Sequence, residues 1–253
     1  MSRALRVEWM KFRRSPVVMV ATVLMVVMLP AIGLGMFSVA SSEVAGPLAA
    51  KVQGLLIGDG WPAYLGVISQ VSAAAVFVGA GVVAAWSFGR EHSDRTFPSL
   101  FALSVSRGSI ASAKLVILTI WVAGLTICVA VAAVAVGAIG GVGGPDGLGS
   151  ALLRLSFVVA ATGLLALSAG YVASVGRGYL PAIGAIVIVV ATAQISVLFG
   201  AGGWFPFAVP GLVAIAESEA APTLSAAQLA LVPTVVVAGV WLTVAWWKRA
   251  EVV

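Results

Sequence analysis

Six apolar runs, each close to 20 residues, set the pattern of the chain: about 17–37, 65–88, 115–136, 155–175, 179–199 and 229–247. At 1.5 Å rise per residue, a run of this length crosses the roughly 30 Å hydrocarbon core of a bilayer. The pattern therefore predicts six transmembrane helices and an all-α integral membrane protein, read as one transmembrane domain over residues 1–253. Local signals mark three of the ends. Ser15-Pro16 suits a helix N-cap followed by proline at the first helical position. GGVGGPDGLG at 140–149 is a turn-forming loop after the third run. Trp246-Trp247-Lys248-Arg249 closes the sixth with an aromatic and basic anchor.

Polar segments between the runs carry their own pattern. In SRALRVEWMKFRR at 2–14, Leu5, Trp9 and Phe12 recur at helical spacing among basic residues, which predicts an interfacial amphipathic helix preceding the first span. The alternative is a disordered basic start that only sets topology. The densest polar segment is GREHSDRTFPSLFALSVSRGSIASAKL at 89–115. Thr96 or Phe97 can cap a new helix there, with Pro98 in its first turn, and Phe97, Leu100, Phe101 and Ser104 then fall on one side. Arg107-Gly108 would end this short helix, and Lys114 would mark re-entry into the membrane. A solvated loop has little need of two phenylalanines and two leucines. A helix lying on lipid and a knob that docks in a partner's groove both remain open.

Composition strengthens the membrane reading. The chain is 61% hydrophobic and 9% charged, against roughly a quarter charged in soluble domains. Twelve of its 14 lysines and arginines fall in alternate segments on one side of the six spans and two, Lys51 and Arg154, on the other. The positive-inside bias makes the richer side cytoplasmic and puts both termini there. The net charge of +5 is read through the same bias, and no nucleic-acid partner is expected. Residues 1–40 also have the outline of a signal peptide, with Ser38-Val39-Ala40 before Ser41, but the apolar run is long for one and is read as a span.

Candidate chemistry is sparse. Cys128 and His92 are each the sole residue of their kind, so neither an intrachain disulfide nor a Cys/His metal site is expected. No G-x-x-x-x-G-K-[ST] occurs, so the chain is not expected to bind ATP through a P-loop, and no catalytic set is identified. Glu43, Asp59, Asp146, Glu217 and Glu219 fall in outer loops, none in mid-membrane, which disfavours proton or sodium coupling. Polar groups within the spans are mild and suit helix–helix hydrogen bonds. Among them Gln70 and Gln194 are candidates for a substrate path, and so few charges suit an amphipathic or lipophilic cargo.

The chain resembles the permease subunits of ABC-2 type exporters. In that family the loop after the second span carries an acidic residue, Gly-Thr, an apolar run, Pro-Val-Ser-Arg, and a lysine opening the third span. The counterparts are Glu91, Thr96, residues 100–103, Val105-Ser106-Arg107 and Lys114, while Arg95 stands at the usual glycine and Ser104 at the usual proline. WFPFAVPG at 204–211 is similar to the aromatic-proline pairs of the family's outer loop. The resemblance implies a coupling helix in the 89–114 segment that docks on a cytoplasmic ATP-binding subunit, with Glu91, Thr96 and Arg107 as polar contacts and Phe97, Leu100 and Phe101 as the apolar knob. It implies a second permease copy, identical or similar, surrounding membrane lipid, ATP and magnesium in the partner subunit and no cofactor in this chain, and a bacterial plasma membrane. A membrane scaffold without a path and an ion-coupled secondary transporter are the alternatives.

Overall fold

A computed structural model describes residues 2–40, 50, 52–56, 58–93, 106–144, 146–218 and 222–249. Its long elements are helices: α1 (Ser2–Arg13), α2 (Pro16–Ala40), α3 (Gly60–Ser93), α4 (Arg107–Ile139), α5 (Leu148–Ala166), α6 (Ala169–Val175), α7 (Tyr179–Leu198), α8 (Val209–Ala214) and α9 (Ala226–Arg249). Six stretches are long and apolar enough to cross a membrane: α2, α3, α4, α5 with α6, α7 and α9. This is the six-span, all-helical architecture that the apolar runs predict.

Ser15 begins α2 as expected, its Oγ accepting from Val18 N at 3.3 Å. A tight turn at 176–178 joins α6 to α7, with Arg177 at φ 52°. Helices α3 and α4 run further than their apolar stretches, to 34 and 33 residues. At about 1.5 Å per residue each is near 50 Å long, so both project beyond the hydrocarbon. Here one expectation is corrected. Arg107-Gly108 does not end a helix: Ser106 accepts from Ser109 N and caps α4, whose first residue is Arg107. The fourth span is broken by a turn at Leu167 and Ser168, whose Oγ donates to the Leu165 carbonyl at 2.7 Å. The segment before the last span holds a 3-10 turn at Gly202–Trp204 and then α8, with Pro210 in its first turn.

Alternate helix ends gather at each end of the bundle. At one end Gly108 of α4 packs on the Lys248 side chain of α9, and Gly89 of α3 packs on the backbone of Gly178 and Tyr179. At the other, Gly140 meets Leu34 and Gly147 meets Pro62. Of the described bases, Lys11, Arg90, Lys114 and Lys248 lie at the first end. Arg154 lies at the second, paired with Glu217 beyond α8. Two apolar cores fill the interior. Phe12, Phe88, Leu118 and Trp247 belong to the core of the first end. Trp61, Tyr64, Leu29 and Leu125 belong to that of the second. Small residues let the helices approach closely: Gly81 takes Ile186, Gly163 takes Val122 and Gly170 takes Phe88 against its Cα. Close backbone approach is how helices associate where lipid supplies no hydrophobic drive between them. Elsewhere the surface is apolar, as on α4, where Ile120, Ile127 and Val131 are exposed.

The face that α1 turns inward differs from the expected stripe. Ala4, Glu8 and Phe12 are buried with Leu5 half-buried, while Trp9 is 44% exposed. Phe12 keeps its expected place, but Glu8 takes the place expected of Trp9, a charged residue held inward by a partner from a distant helix.

Candidate functional site

That partner is Lys114, in the opening turns of α4. Its ammonium donates to Glu8 Oε2 at 2.8 Å and to the Ser87 carbonyl at 2.9 Å. It also lies 2.9 Å from Glu91 Oε1 in an ion pair. Lys11 stands beside both carboxylates, donating to Glu8 Oε1 at 3.0 Å and lying 3.6 Å from Glu91 Oε1. The result is two acids and two bases in one neutral cluster, with Lys114 at 4%, Glu91 at 2% and Glu8 at 7% exposure. Burial pushes the Glu8 carboxyl up, but the Lys114 charge and hydrogen bond, with Lys11 in support, outweigh it and hold the group below its ordinary 4.5. Desolvating Glu8, Glu91 and Lys114 is costly unless each is well paired, and this arrangement, with the half-buried Lys11 beside it, pairs them. The surroundings are aromatic: the Arg90 guanidinium lies 4.7 Å from the centre of the Trp86 ring, and Phe12 meets Trp121 edge-on with centres 6.0 Å apart.

The cluster sits where α3 and α4 face each other across residues 94–105. Of the expected docking residues, Glu91 is inside the cluster. Arg107 is half-buried at the start of α4. Thr96, Phe97, Leu100 and Phe101, and with them the expected short helix, lie outside the described residues. Sequence reading missed Glu8 and the inward role of Lys114. One signal was available, since Glu8 is the only acid among the five bases of the first 16 residues.

Gln70 and Gln194 are brought together. Both line one cleft of about 230 Å³ between α3, α7 and α8, with Phe77 and Phe207 among its other walls. The two phenylalanines meet edge-on with centres 5.5 Å apart. Gln70 Nε2 donates to the Leu55 carbonyl at 2.9 Å, and Gln194 is exposed. Every lining residue is uncharged. Gln70 precedes Glu91 by 21 positions on the same helix, so cleft and charge cluster are about 30 Å apart. Two carboxamides can each donate and accept, and the phenyl faces suit apolar surface. The cleft therefore suits a neutral, amphipathic group. Its volume is just below the usual range for whole small-molecule ligands, about 300–1,000 Å³. Phe207 of the 204–211 motif lies in this wall, its ring centre 5.5 Å from that of Phe205, which gives that motif a structural use.

These features define a multi-pass helical membrane protein with an internal charge cluster at one end and an uncharged cleft toward the other. Residues 4–194 match the family described as ABC-2 family transporter protein, and the chain belongs to that family. It is a permease-type transmembrane subunit, and membership implies an ABC ATP-binding partner in general. No curated protein matches the chain.

Proposed function

We propose that the chain is the transmembrane half of an ATP-driven exporter in a bacterial plasma membrane. The observation that carries this reading is the family match over residues 4–194, which includes the segment between α3 and α4. A cytoplasmic subunit binds ATP and magnesium and docks on that segment. Two permease copies, identical or similar, form the path. The charge bias supports cytoplasmic termini and places the Glu8–Lys114 end at the cytoplasm. Phe97, Leu100 and Phe101 form the apolar part of the docking face, with Thr96 and Arg107 as polar contacts. Glu91, buried against Lys114, acts on docking by holding the end of α3. The cargo is amphipathic or lipophilic, a drug, lipid or hydrophobic peptide, and the cleft at Gln70 and Gln194 lies on its path. The uncharged lining of that cleft supports this cargo class.

Purification of the tagged chain from its native membrane in mild detergent tests the reading. A co-purifying protein with a P-loop and vanadate-sensitive ATP hydrolysis is the expected result. Repeated recovery of the intact chain alone, with uptake driven by an ion gradient, would replace it with a secondary transporter.

A further inference from the structure

Three buried charges, with Lys11 half-buried as the fourth, are an expensive way to hold three helices together. Apolar side chains of similar size would do so as well or better. What ion pairs add is geometric definition. Lys114 reaches Glu8 at 2.8 Å and Glu91 at 2.9 Å at the same time, and Lys11 reaches the same two carboxylates from the α1 side. A slide of α1 by one residue would break the two pairs that cross from it, Glu8–Lys114 and Lys11–Glu91, and leave only Glu8 with Lys11 and Glu91 with Lys114. The Glu8–Lys114 pair is lost in a poorly hydrated site, where charge separation is most costly. The neighbouring Phe12–Trp121 contact is apolar and would tolerate such a slide. The cavity beside the cluster is only about 10 Å³, room for about one water, so bulk solvent does not reach the buried Glu8, Glu91 and Lys114 to replace a lost partner.

The geometry points to Lys114 as the hub of a clamp that makes α1 and the facing ends of α3 and α4 one mechanical unit, so that a displacement imposed on those ends by a docked ATP-binding subunit is carried into α1. Glu8, Lys11 and Glu91 are the positioning residues of this unit. The inference rests on the docking reading given above. The clamp is neutral as a whole and divides into two neutral pairs, Glu91 with Lys114 and Glu8 with Lys11. One pair can be replaced by apolar residues without stranding a charge.

The test is hydrogen exchange on the full complex, without nucleotide and trapped with ATP and vanadate. It compares the native chain with the double variant Glu91→Leu/Lys114→Met, and readout is taken at residues 2–13 and at residues 94–105. In the native complex both regions are expected to change protection on trapping. In the double variant the 94–105 change persists and the 2–13 change is lost. Lys114→Met alone leaves two acids with one base and is expected to lower folded yield, which the double variant recovers. A 2–13 response that survives in the folded double variant overturns the clamp and leaves docking standing. A 94–105 segment that does not respond in the native complex overturns the docking reading and the clamp with it.

Discussion

The indole N–H of Trp247 donates to Ser174 Oγ at 2.8 Å, joining the end of the last span to the short helix α6 across 73 positions of sequence. The same hydroxyl donates to the Gly170 carbonyl at 2.7 Å, so both of its roles are used. Trp247 is 0% exposed and meets Phe88 edge-on at 5.8 Å. Ser174→Ala therefore strands a buried donor. The expected cost is about 1–3 kcal/mol, read as a lower thermal midpoint in detergent. Trp247→Phe should cost less in the Ser174→Ala background than alone, because the pair is coupled. Strictly additive losses in the four-way cycle would mean that the hydrogen bond contributes nothing.

Gly89 sets the approach of α3 to the turn before α7. A Cβ there would lie 2.5 Å from Tyr179 N and 2.7 Å from Gly178 C, both backbone atoms that cannot rotate away. Gly89→Ala is expected to cost at least the roughly 1–3 kcal/mol typical of overpacking and to reduce the monodisperse fraction on size exclusion. Gly124 is the control, since nothing lies within 4 Å of its Cβ position. Gly124→Ala should leave stability unchanged or raise it by about 0.5–1 kcal/mol, the helical advantage of alanine. Equal behaviour of the two variants would show that the α3–α7 approach is looser than described.

Acid should reach the Glu8 carboxylate only at low pH. The folded Glu8 carboxyl titrates below its ordinary 4.5, because its lysine partners outweigh the effect of burial. A depressed carboxyl contributes stability that is fully present above the unfolded value and is lost as pH falls through the folded value. The native chain should therefore exceed Glu8→Gln in stability at neutral pH, and the two should converge below pH 4.5. Thermal midpoints of both proteins between neutral pH and the acid limit of the detergent check this. Convergence already near neutrality would mean that Glu8 is not held by Lys114.

The end opposite the charge cluster has its own tie. Arg154 of α5 is largely buried and pairs with the half-exposed Glu217, just beyond α8. An exposed partner weakens such a pair to about 0–1 kcal/mol, but the buried guanidinium suffers when its counter-ion is reversed. Glu217→Arg should lower the thermal midpoint, and Arg154→Glu/Glu217→Arg should recover most of the loss. A double variant no better than the single one would show that the contact is incidental.

Hydropathy made the number of spans legible because each apolar run is long enough to cross a bilayer by itself. The same signal stopped short at the ends of α3 and α4. Arg90, Glu91, Arg107, Ser109, Ser112 and Lys114 are polar, yet the helices continue through them: Gly89 and Gly108 cost a helix only about 1 kcal/mol each, and no proline interrupts either stretch. Long-range pairing was the larger gap. Leu5, Trp9 and Phe12 fit a local period, but the face of α1 is chosen by Glu8 meeting Lys114, 106 positions away, and no periodicity encodes that. Gln70 and Gln194 could be singled out as polar groups in apolar helices. That they share one cleft depends on how α3 and α7 pack and on α8, which the Pro-rich segment before the last span concealed.

The cleft yields the most direct test of transport. Ala193 lines it beside Gln194 and is half-buried, so Ala193→Trp puts an indole into a space of about 230 Å³. Stimulation of the complex's ATP hydrolysis by amphipathic compounds should be lost, with basal hydrolysis and assembly retained. Gln194→Leu removes one neutral hydrogen bond and is expected to raise the half-maximal concentration of a hydrogen-bonding compound by roughly two- to twelvefold, equivalent to about 0.5–1.5 kcal/mol. Gln194 is the cleaner choice of the two amides, since Gln70 also holds the Leu55 carbonyl and its loss would disturb the backbone there. A compound without hydrogen-bonding groups should not distinguish Gln194→Leu from the native chain. Full stimulation in Ala193→Trp would take the cleft off the path, and the cargo would then have to pass along another face of the bundle.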